Sequence, residues 1–498
     1  MATSPVFHSD RRIQLGIWGL GRGMNFYQTC AALNFDVVAG CDYNEHMRRG
    51  FLEANPGAFA TADAEEFLAQ DFDAVLLATY CPSHGGDARR CLAAGKHVLS
   101  EVTAFFTLAE GVQLVEAVER SGLVYNLAEN YPFTPVMRYL KRKWDAGLFG
   151  ELMYAEFEYV HECRSLCYTY IDGLPVQPGD SVHTWRSWLD FHYYCTHSLG
   201  PVMVITGTRP TQVTALVGDQ RLAGYLPQGA EGAGGIAPSL IKMSNGGVMR
   251  NLMGVTTNDS HVQRLWGTRG AAEVNVGEGL KLRLGGSGNS PKLAVKPAED
   301  ELDRLANSTG HGGGDFWVLY YFARQILSGE PAPFDVYAAA DVTIPGIQAV
   351  RSALAGGQPM AVPDLRDPAQ REKYRHDTWA QEPYDTRHGL FPREADRTQT
   401  GRFSTTMADL IRYSLLYRQW ADWSAVAGDL VDPARLSEMR QALAAELPEV
   451  RRSYAAARAL IDAYPGSDGA RVLREMLEDV GGEKRVLAPG FADELQGK

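Results

Sequence analysis

Short apolar runs alternate with amphipathic stretches through residues 1–130. IQLGIWGLG (13–21) predicts a buried strand entering a glycine turn, and VVAGCD (37–42), AVLLAT (74–79), HVLSE (97–101) and LVYNLAE (123–129) predict further buried strands. Helical spacing fills the gaps, in EEFLAQ and over residues 108–121. Nearly continuous apolar strands separated by helices pack as parallel βαβ units, so a doubly wound sheet is expected. After Pro135 the period changes. Residues 137–148 read as a helix ending at Gly150. ELMYAEFEYVHE, TQVTALVGD, SLIKMSNGGVMRNLMG and AAEVNVGEGLKLRLG then alternate apolar and polar positions between Gly and Asn turns. That period of two predicts a largely antiparallel sheet. Gly-rich stretches at 218–238 and 285–315 read as loops, followed by helices over 316–328 and 336–354. From about Asp367 the chain is irregular, then strongly helical over 405–480, with no internal repeat. The expected fold is α/β: a nucleotide-binding domain over 1–130, an α+β domain with an open, mainly antiparallel sheet over 131–365, and an irregular then helical extension over 366–498.

The 498 residues are enough for about three domains that each bury a full core. Net charge −12 argues against a nucleic-acid partner or a polybasic membrane docker, both of which need surplus cations. No apolar run reaches the ~18 residues of a membrane span. MATSPVFHSDRR has no apolar core of a secretory signal, and the seven cysteines form no CxxC pair. Both fit a reducing cytoplasm rather than a disulfide scaffold.

The first chemistry lies at Gly19-Leu20-Gly21-Arg22-Gly23, after a strand and opening a helix. Glycines there let backbone approach a pyrophosphate, and a helix start offers free N–H groups. The third fingerprint position is Met24, with Gly23 one residue early. Asp42, about 20 residues on at the end of the second strand, supplies the acid that accepts ribose hydroxyls and repels a 2′-phosphate. NAD is therefore expected over NADP. The plain alternative is a tight turn that binds nothing.

IQLGIWGLGRG, VVAGCD, LLATYCPSHGGDARRCLAAGKHVLSE and GLFGELMYAEFEY resemble the Gfo/Idh/MocA family, over roughly residues 13–365. The resemblance implies an N-terminal Rossmann domain holding NAD(P) and a C-terminal α+β domain whose open sheet floors the substrate site. The family's dehydrogenases carry Glu-Lys-Pro after the fourth strand, with lysine helping to move the hydroxyl proton; here the residues are Glu101-Val102-Thr103. Glu101 is kept as a cofactor-side residue, with Arg22. An Asp four residues before the catalytic-domain His is also replaced, by Tyr193.

A narrower resemblance accommodates these departures. Glu129-Asn130, Tyr159-Val160-His161, Trp185-Arg186, Tyr194-Cys195-Thr196-His197-Ser198-Leu199-Gly200-Pro201 and Gly310-His311-Gly312-Gly313-Gly314-Asp315 are similar to glycoside hydrolase family 109, the NAD-dependent α-N-acetylgalactosaminidases. The Arg186–Tyr194 spacing is short for that family, and the stretch from Tyr168 to Ser181 is unusual. The resemblance implies hydrolysis without net redox: C3 of the sugar is oxidised, the C2 proton is removed, the aglycone leaves from C1, water adds, and the hydride returns. Such an enzyme needs neutral-range acid/base groups rather than the paired carboxylates of ordinary glycosidases.

His197 is the first candidate for general acid or base, with Tyr159 as its catalytic partner. Tyr159 and His161 alternate on a predicted strand and face one side. His161, Arg186, Tyr194 and Glu129 are candidate sugar contacts; each also has a structural reading, as core ring, surface ion pair or cap. His311 and Asp315 read as a loop and an N-cap. His161, Cys163, Cys167, His192, Cys195 and His197 lack the tight spacing of a zinc site, so no metal is expected. Periodic helices over 436–463 cover a core or a dimer contact, and a homo-oligomer is expected. The leading expectation is an NAD-dependent glycosidase acting on a carbohydrate. The alternatives are an NAD-dependent sugar or cyclitol dehydrogenase and a non-enzymatic NAD-binding scaffold.

Overall fold

A computed structural model describes residues 6–167, 170–171, 174–175, 185–218, 220, 222–225, 235–255, 259–275, 277–381, 390–392 and 394–496. The stretch from Tyr168 to Ser181 falls largely outside the described residues, as does part of the expected loop over 218–238. The chain divides into two compact units: Met1–Glu162 with Leu189–Gln220 and Ala230–Glu382, and Cys163–Trp188 with Arg221–Gly229 and Pro383–Lys498.

The first unit contains two sheets. The five expected N-terminal strands form as β1 (Ile13–Trp18), β2 (Phe35–Cys41), β4 (Ala74–Leu77), β5 (His97–Ser100) and β6 (Tyr125–Leu127), joined by β3 (Phe59–Thr61). All pairs are parallel, in the order β3-β2-β1-β4-β5-β6. Ile13, Leu15, Ile17, Val75, Leu76, Val98 and Leu99 are fully buried, as a sheet covered on both faces requires. Helix Leu108–Ser121 starts on a Thr107/Glu110 capping box and stops at Gly122 in the left-handed region, φ 64°. The sheet order reverses direction between β1 and β4, where such folds bind ligands beyond the strands' carboxyl ends.

The second sheet has nine strands: β7 (Leu152–Val160), β8 (Pro210–Ala215), β9 (Ile236–Met243), β10 (Val248–Gly254), β11 (Gln263–Gly267), β12 (Gly270–Asn275), β13 (Gly279–Leu284), β14 (Leu293–Val295) and β15 (Met360–Ala361). Their order is β14-β13-β12-β11-β7-β10-β9-β8-β15. Antiparallel pairing prevails, as expected, but β7 and β10 run parallel at its centre. Helix Thr196–Thr206 packs against β7 and β10. Helix Val336–Leu354 forms over the range read from the sequence and packs on β8. The Gly-rich stretch at 285–315 is not all loop, because it holds β14 and helix Glu301–Asn307, which Asp300 and Asp303 cap reciprocally.

In the second unit, helices Phe403–Asp409, Leu415–Ala425, Ala434–Ala463 and Asp468–Val480 realise the expected C-terminal helicity. Leu443, Val450, Tyr454, Leu473 and Met476 are fully buried among them. Among the described residues no helix is long and apolar enough to cross a membrane.

Candidate functional site

The glycine turn is built as a close approach. Gly19 has φ +93°, and a Cβ there would lie 2.1 Å from the Ala78 carbonyl oxygen. Only glycine fits both constraints. A Cβ on Gly21 would meet nothing within 4 Å, and one on Gly23 would lie 2.5 Å from Ile17 Cγ2. Gly23 therefore performs the strand–helix packing expected of the following position, which explains why Met24 is tolerated there. The helical stretch opens as a 3-10 turn, Gly23–Phe26, before Tyr27–Cys30 becomes α-helical. Asp42 Oδ2 accepts the Leu20 N–H at 2.8 Å and Oδ1 accepts the Asn44 N–H at 2.8 Å. Burial pushes the Asp42 carboxyl above its usual range, against those two N–H donors and Arg48. A tight turn, open space over Gly21 and an acid at the end of β2 fit a dinucleotide.

Arg22 does not stand free beside this turn. Its Nε donates to Glu101 Oε1 at 2.7 Å, and its two terminal nitrogens donate to Asp315 at 2.9 and 2.7 Å. Asn130 Nδ2 and His311 Nδ1 lie 2.8 and 3.0 Å from the same Asp315 carboxylate. Asp315 is therefore not the N-cap expected from the sequence. Gly313 takes that place, and Asp315 sits buried one residue inside helix Gly314–Ser328, where it ties Arg22 down. Burial alone raises the Asp315 carboxyl, but Arg22 and then His311 outweigh it and hold it well below the usual carboxylate range. Val102 follows Glu101 and is buried.

Glu129 follows β6, and His197 lies in the first turn of helix Thr196–Thr206. The two meet: His197 Nδ1 lies 2.9 and 3.0 Å from the Glu129 carboxylate oxygens. Glu129 is 0% and His197 6% exposed. A Cβ on Gly200 would lie 2.9 Å from Glu129 Cγ, so the glycine of the HSLGP motif makes room for the carboxylate. An ionised carboxylate accepts only, so Nδ1 carries the proton and Nε2 is left as the basic nitrogen. Tyr194 Oη lies 3.1 Å from Nε2, so the tyrosine and histidine share one face as the sequence spacing implied. The imidazole is enclosed by rings: Tyr131 stacks on it at 4.5 Å, and Tyr159 and Tyr194 stand edge-on at 4.8 and 4.6 Å.

Tyr159 is the penultimate residue of β7 and His161 follows that strand, their rings 5.9 Å apart. His161 Nδ1 lies 2.9 Å from Asp259 Oδ2. His261 stacks on Tyr159 at 5.1 Å. Tyr131, Asp259 and His261 were not read from the sequence. Tyr131 directly follows the Glu129-Asn130 motif, and the polar run Asn258-Asp259-Ser260-His261 between two strand-forming segments was the available signal. Burial, then Tyr159, Tyr194 and Glu129, push the Tyr131 phenol upward.

The structure thus gathers His197, Glu129, Tyr194, Tyr159 and His161 in the first unit. Arg186 falls in the second unit, its guanidinium 4.3 Å from the Trp185 ring centroid. A cavity of about 790 Å³ lined by Phe133, Arg138, Arg209, Phe334, Asp341 and Arg366 shares no residue with the histidine cluster.

Residues 297–371 match a family model described as the glycosyl hydrolase 109 C-terminal domain. An alpha-N-acetylgalactosaminidase of Tannerella forsythia is 28% identical over 339 residues, 59% of this chain and 71% of that one. A glycosyl hydrolase family 109 protein of Saccharopolyspora erythraea is 26% identical over 407 residues, 72% and 84% of the two chains. Among solved structures, a levoglucosan dehydrogenase complex with NADH and levoglucosan is 18% identical with TM-score 0.58, covering 71% of this chain and 100% of that one. An inositol dehydrogenase homolog from Azotobacter vinelandii, complexed with NADH and myo-inositol, is 19% identical with TM-score 0.56, covering 71% and 98%. The structural likenesses establish a Rossmann domain joined to an α+β domain. The family-model and curated matches support the resemblance to glycoside hydrolase family 109.

Proposed function

Starting from the likeness to glycoside hydrolase family 109, we propose that this protein is an NAD-dependent glycosidase, with N-acetylgalactosaminides the first substrates to test. One observation carries the reading. A histidine backed by a fully buried glutamate is enclosed by three tyrosines, while the strand-end position that holds lysine in the family's dehydrogenases is the buried Val102. Proton traffic therefore centres on imidazole and phenol.

NAD, when bound, supplies a reversible hydride acceptor that makes a ring carbinol a ketone and so acidifies the neighbouring C–H. The Gly19–Gly23 turn and Asp42 would hold it, with Arg22 fixed between Glu101 and Asp315. His197 takes the hydroxyl proton on Nε2, and Glu129 stabilises the imidazolium that results. Tyr159, edge-on to that imidazole, takes the C2 proton as its phenolate, its own phenolic proton having first passed to solvent. Tyr194 hydrogen-bonds Nε2 and is placed to hand a proton between histidine and sugar. Rings on several sides of the histidine keep water away from these transfers.

The runner-up, a sugar or cyclitol dehydrogenase, draws on the sugar and polyol dehydrogenases among the fold's neighbours. It uses the same residues and stops at the ketone. A non-enzymatic scaffold has no evident use for a fully buried carboxylate that accepts the Tyr131 N–H and holds a histidine imidazole. Residues 1–130 carry the cofactor in this reading, 131–365 the sugar, and 366–498 form an added helical part. The seven buried cysteines suit a reducing cytoplasm, and a homo-oligomer remains the expected assembly. Turnover of 4-nitrophenyl α-glycosides tests the choice. The glycosidase releases many aglycones per bound NAD⁺ with no lasting NADH, whereas NADH accumulating one for one with an intact glycosidic bond selects the dehydrogenase.

A further inference from the structure

The cluster holds a second histidine–carboxylate pair. Asp259 accepts His161 Nδ1 on one oxygen at 2.9 Å and the Glu162 backbone N–H on the other at 2.7 Å. The carboxylate is fixed at both ends. Burial raises it, but the Glu162 N–H and His161 outweigh that and hold it below the usual carboxylate range, so it stays charged. His261 lies beside it, its ring centroid 6.2 Å from that of His161. Its Nε2 is buried with no hydrogen-bond partner among the described residues. Burial, then the neighbouring His161, push the His261 imidazole down, so it remains neutral. Asp259 hydrogen-bonds His161, so of the two adjacent imidazoles it is His161 that has a carboxylate in contact to balance an added proton.

The two pairs differ in exposure. The His197 side chain is 7% exposed and that of His161 34%. Tyr159 contacts both rings, at 4.8 and 5.9 Å. A group that works on the sugar ring belongs in the enclosed position, and one that serves a departing aglycone belongs at the open one. One imidazole cannot attend both the C3 hydroxyl and the C1 oxygen of the same ring.

We propose that His161, oriented by Asp259, is the general acid for the leaving group and acts separately from His197. The proposal rests on the glycosidase reading. When the C2 proton has gone, its electron pair forms the C1–C2 double bond. The C1–O pair leaves with the aglycone oxygen, which takes the Nε2 proton of His161. The neutral imidazole then takes a proton from the water whose oxygen adds at C1, which restores the imidazolium. Asp259 is a positioning residue, since it acts through His161.

Leaving-group dependence tests the assignment on the full chain with NAD bound. 4-Nitrophenoxide departs without protonation and methoxide does not. His161→Ala and His161→Asn should lose less than about tenfold on the 4-nitrophenyl α-glycoside but about 10³-fold on the methyl α-glycoside. Deuterium exchange at C2 of unreleased methyl glycoside in heavy water, followed by NMR, should persist, and NAD affinity by calorimetry should be unchanged. Asp259→Asn should steepen the same dependence, and Asp259→Glu should restore it. A uniform loss across both glycosides, or loss of C2 exchange in both variants, overturns the role of His161 while leaving the glycosidase reading in place. A parent protein that neither exchanges C2 nor releases aglycone overturns both.

Discussion

Both carboxylate oxygens of Glu129 lie within 3.0 Å of His197 Nδ1, and Glu129 is fully buried. A buried carboxylate without a partner is costly, so the pair holds together and fixes which imidazole nitrogen is basic. Nothing about Glu129 in the sequence distinguishes a sugar contact from a cap. The structure makes it the orienting partner of the histidine, 68 residues away in the chain.

Removing His197 should separate catalysis from binding. His197→Ala is expected to lower turnover by about 10²-fold or more while leaving NAD affinity by calorimetry intact. Glu129→Gln should lower it too, because an amide no longer stabilises the imidazolium. Tyr159→Phe keeps the ring that packs on His197 and His261, so a large loss there assigns the phenol to proton transfer. Near-parent activity in His197→Ala removes that residue from the chemistry.

Cofactor choice should follow Asp42. The parent should bind NAD(H) more tightly than NADP(H), and Asp42→Ala should narrow the gap. The carboxylate also accepts the Leu20 N–H at 2.8 Å, so the variant should weaken both cofactors as the turn loosens. Calorimetry gives both constants; equal affinities in the parent refute the assignment.

Acid stability should report on Asp315. Its folded carboxyl lies below the ordinary value near 3.9, so it stabilises the fold above that pH, and the contribution is lost as pH falls below it. Asp315→Asn should cost about 2 kcal/mol at neutral pH, less than a fully buried pair because Arg22 keeps Glu101 and is partly exposed. The parent's Tm should fall steeply below about pH 4, and the variant's should fall less over that window. Parallel curves in thermal melts argue against the clamp.

Much of the first unit was legible because its signals are local. Helix Leu108–Ser121 has its capping box, terminal glycine and apolar spacing in one window, and its bounds matched. The strands β3, β11, β14 and β15 were missed because each is short or mixed in polarity, and pairing with a neighbour decides it. The same division holds in the site. Gly19, Gly21 and Asp42 sit in a motif, whereas Asp315 looked like a cap because its partner Arg22 is 293 residues distant. Asp259 and His261 escaped notice for the same reason, since their meaning depends on where β7 ends. The parallel pairing of β7 with β10 is likewise a property of the assembled sheet.

The central claim is that a glycosidic bond breaks through a transient ketone and loss of the C2 proton. The most direct measurement is hydrolysis of a 4-nitrophenyl α-glycoside in heavy water, with the product sugar examined by NMR. The account predicts deuterium at C2 of the released sugar and no lasting NADH. Aglycone release with C2 still fully protonated contradicts it.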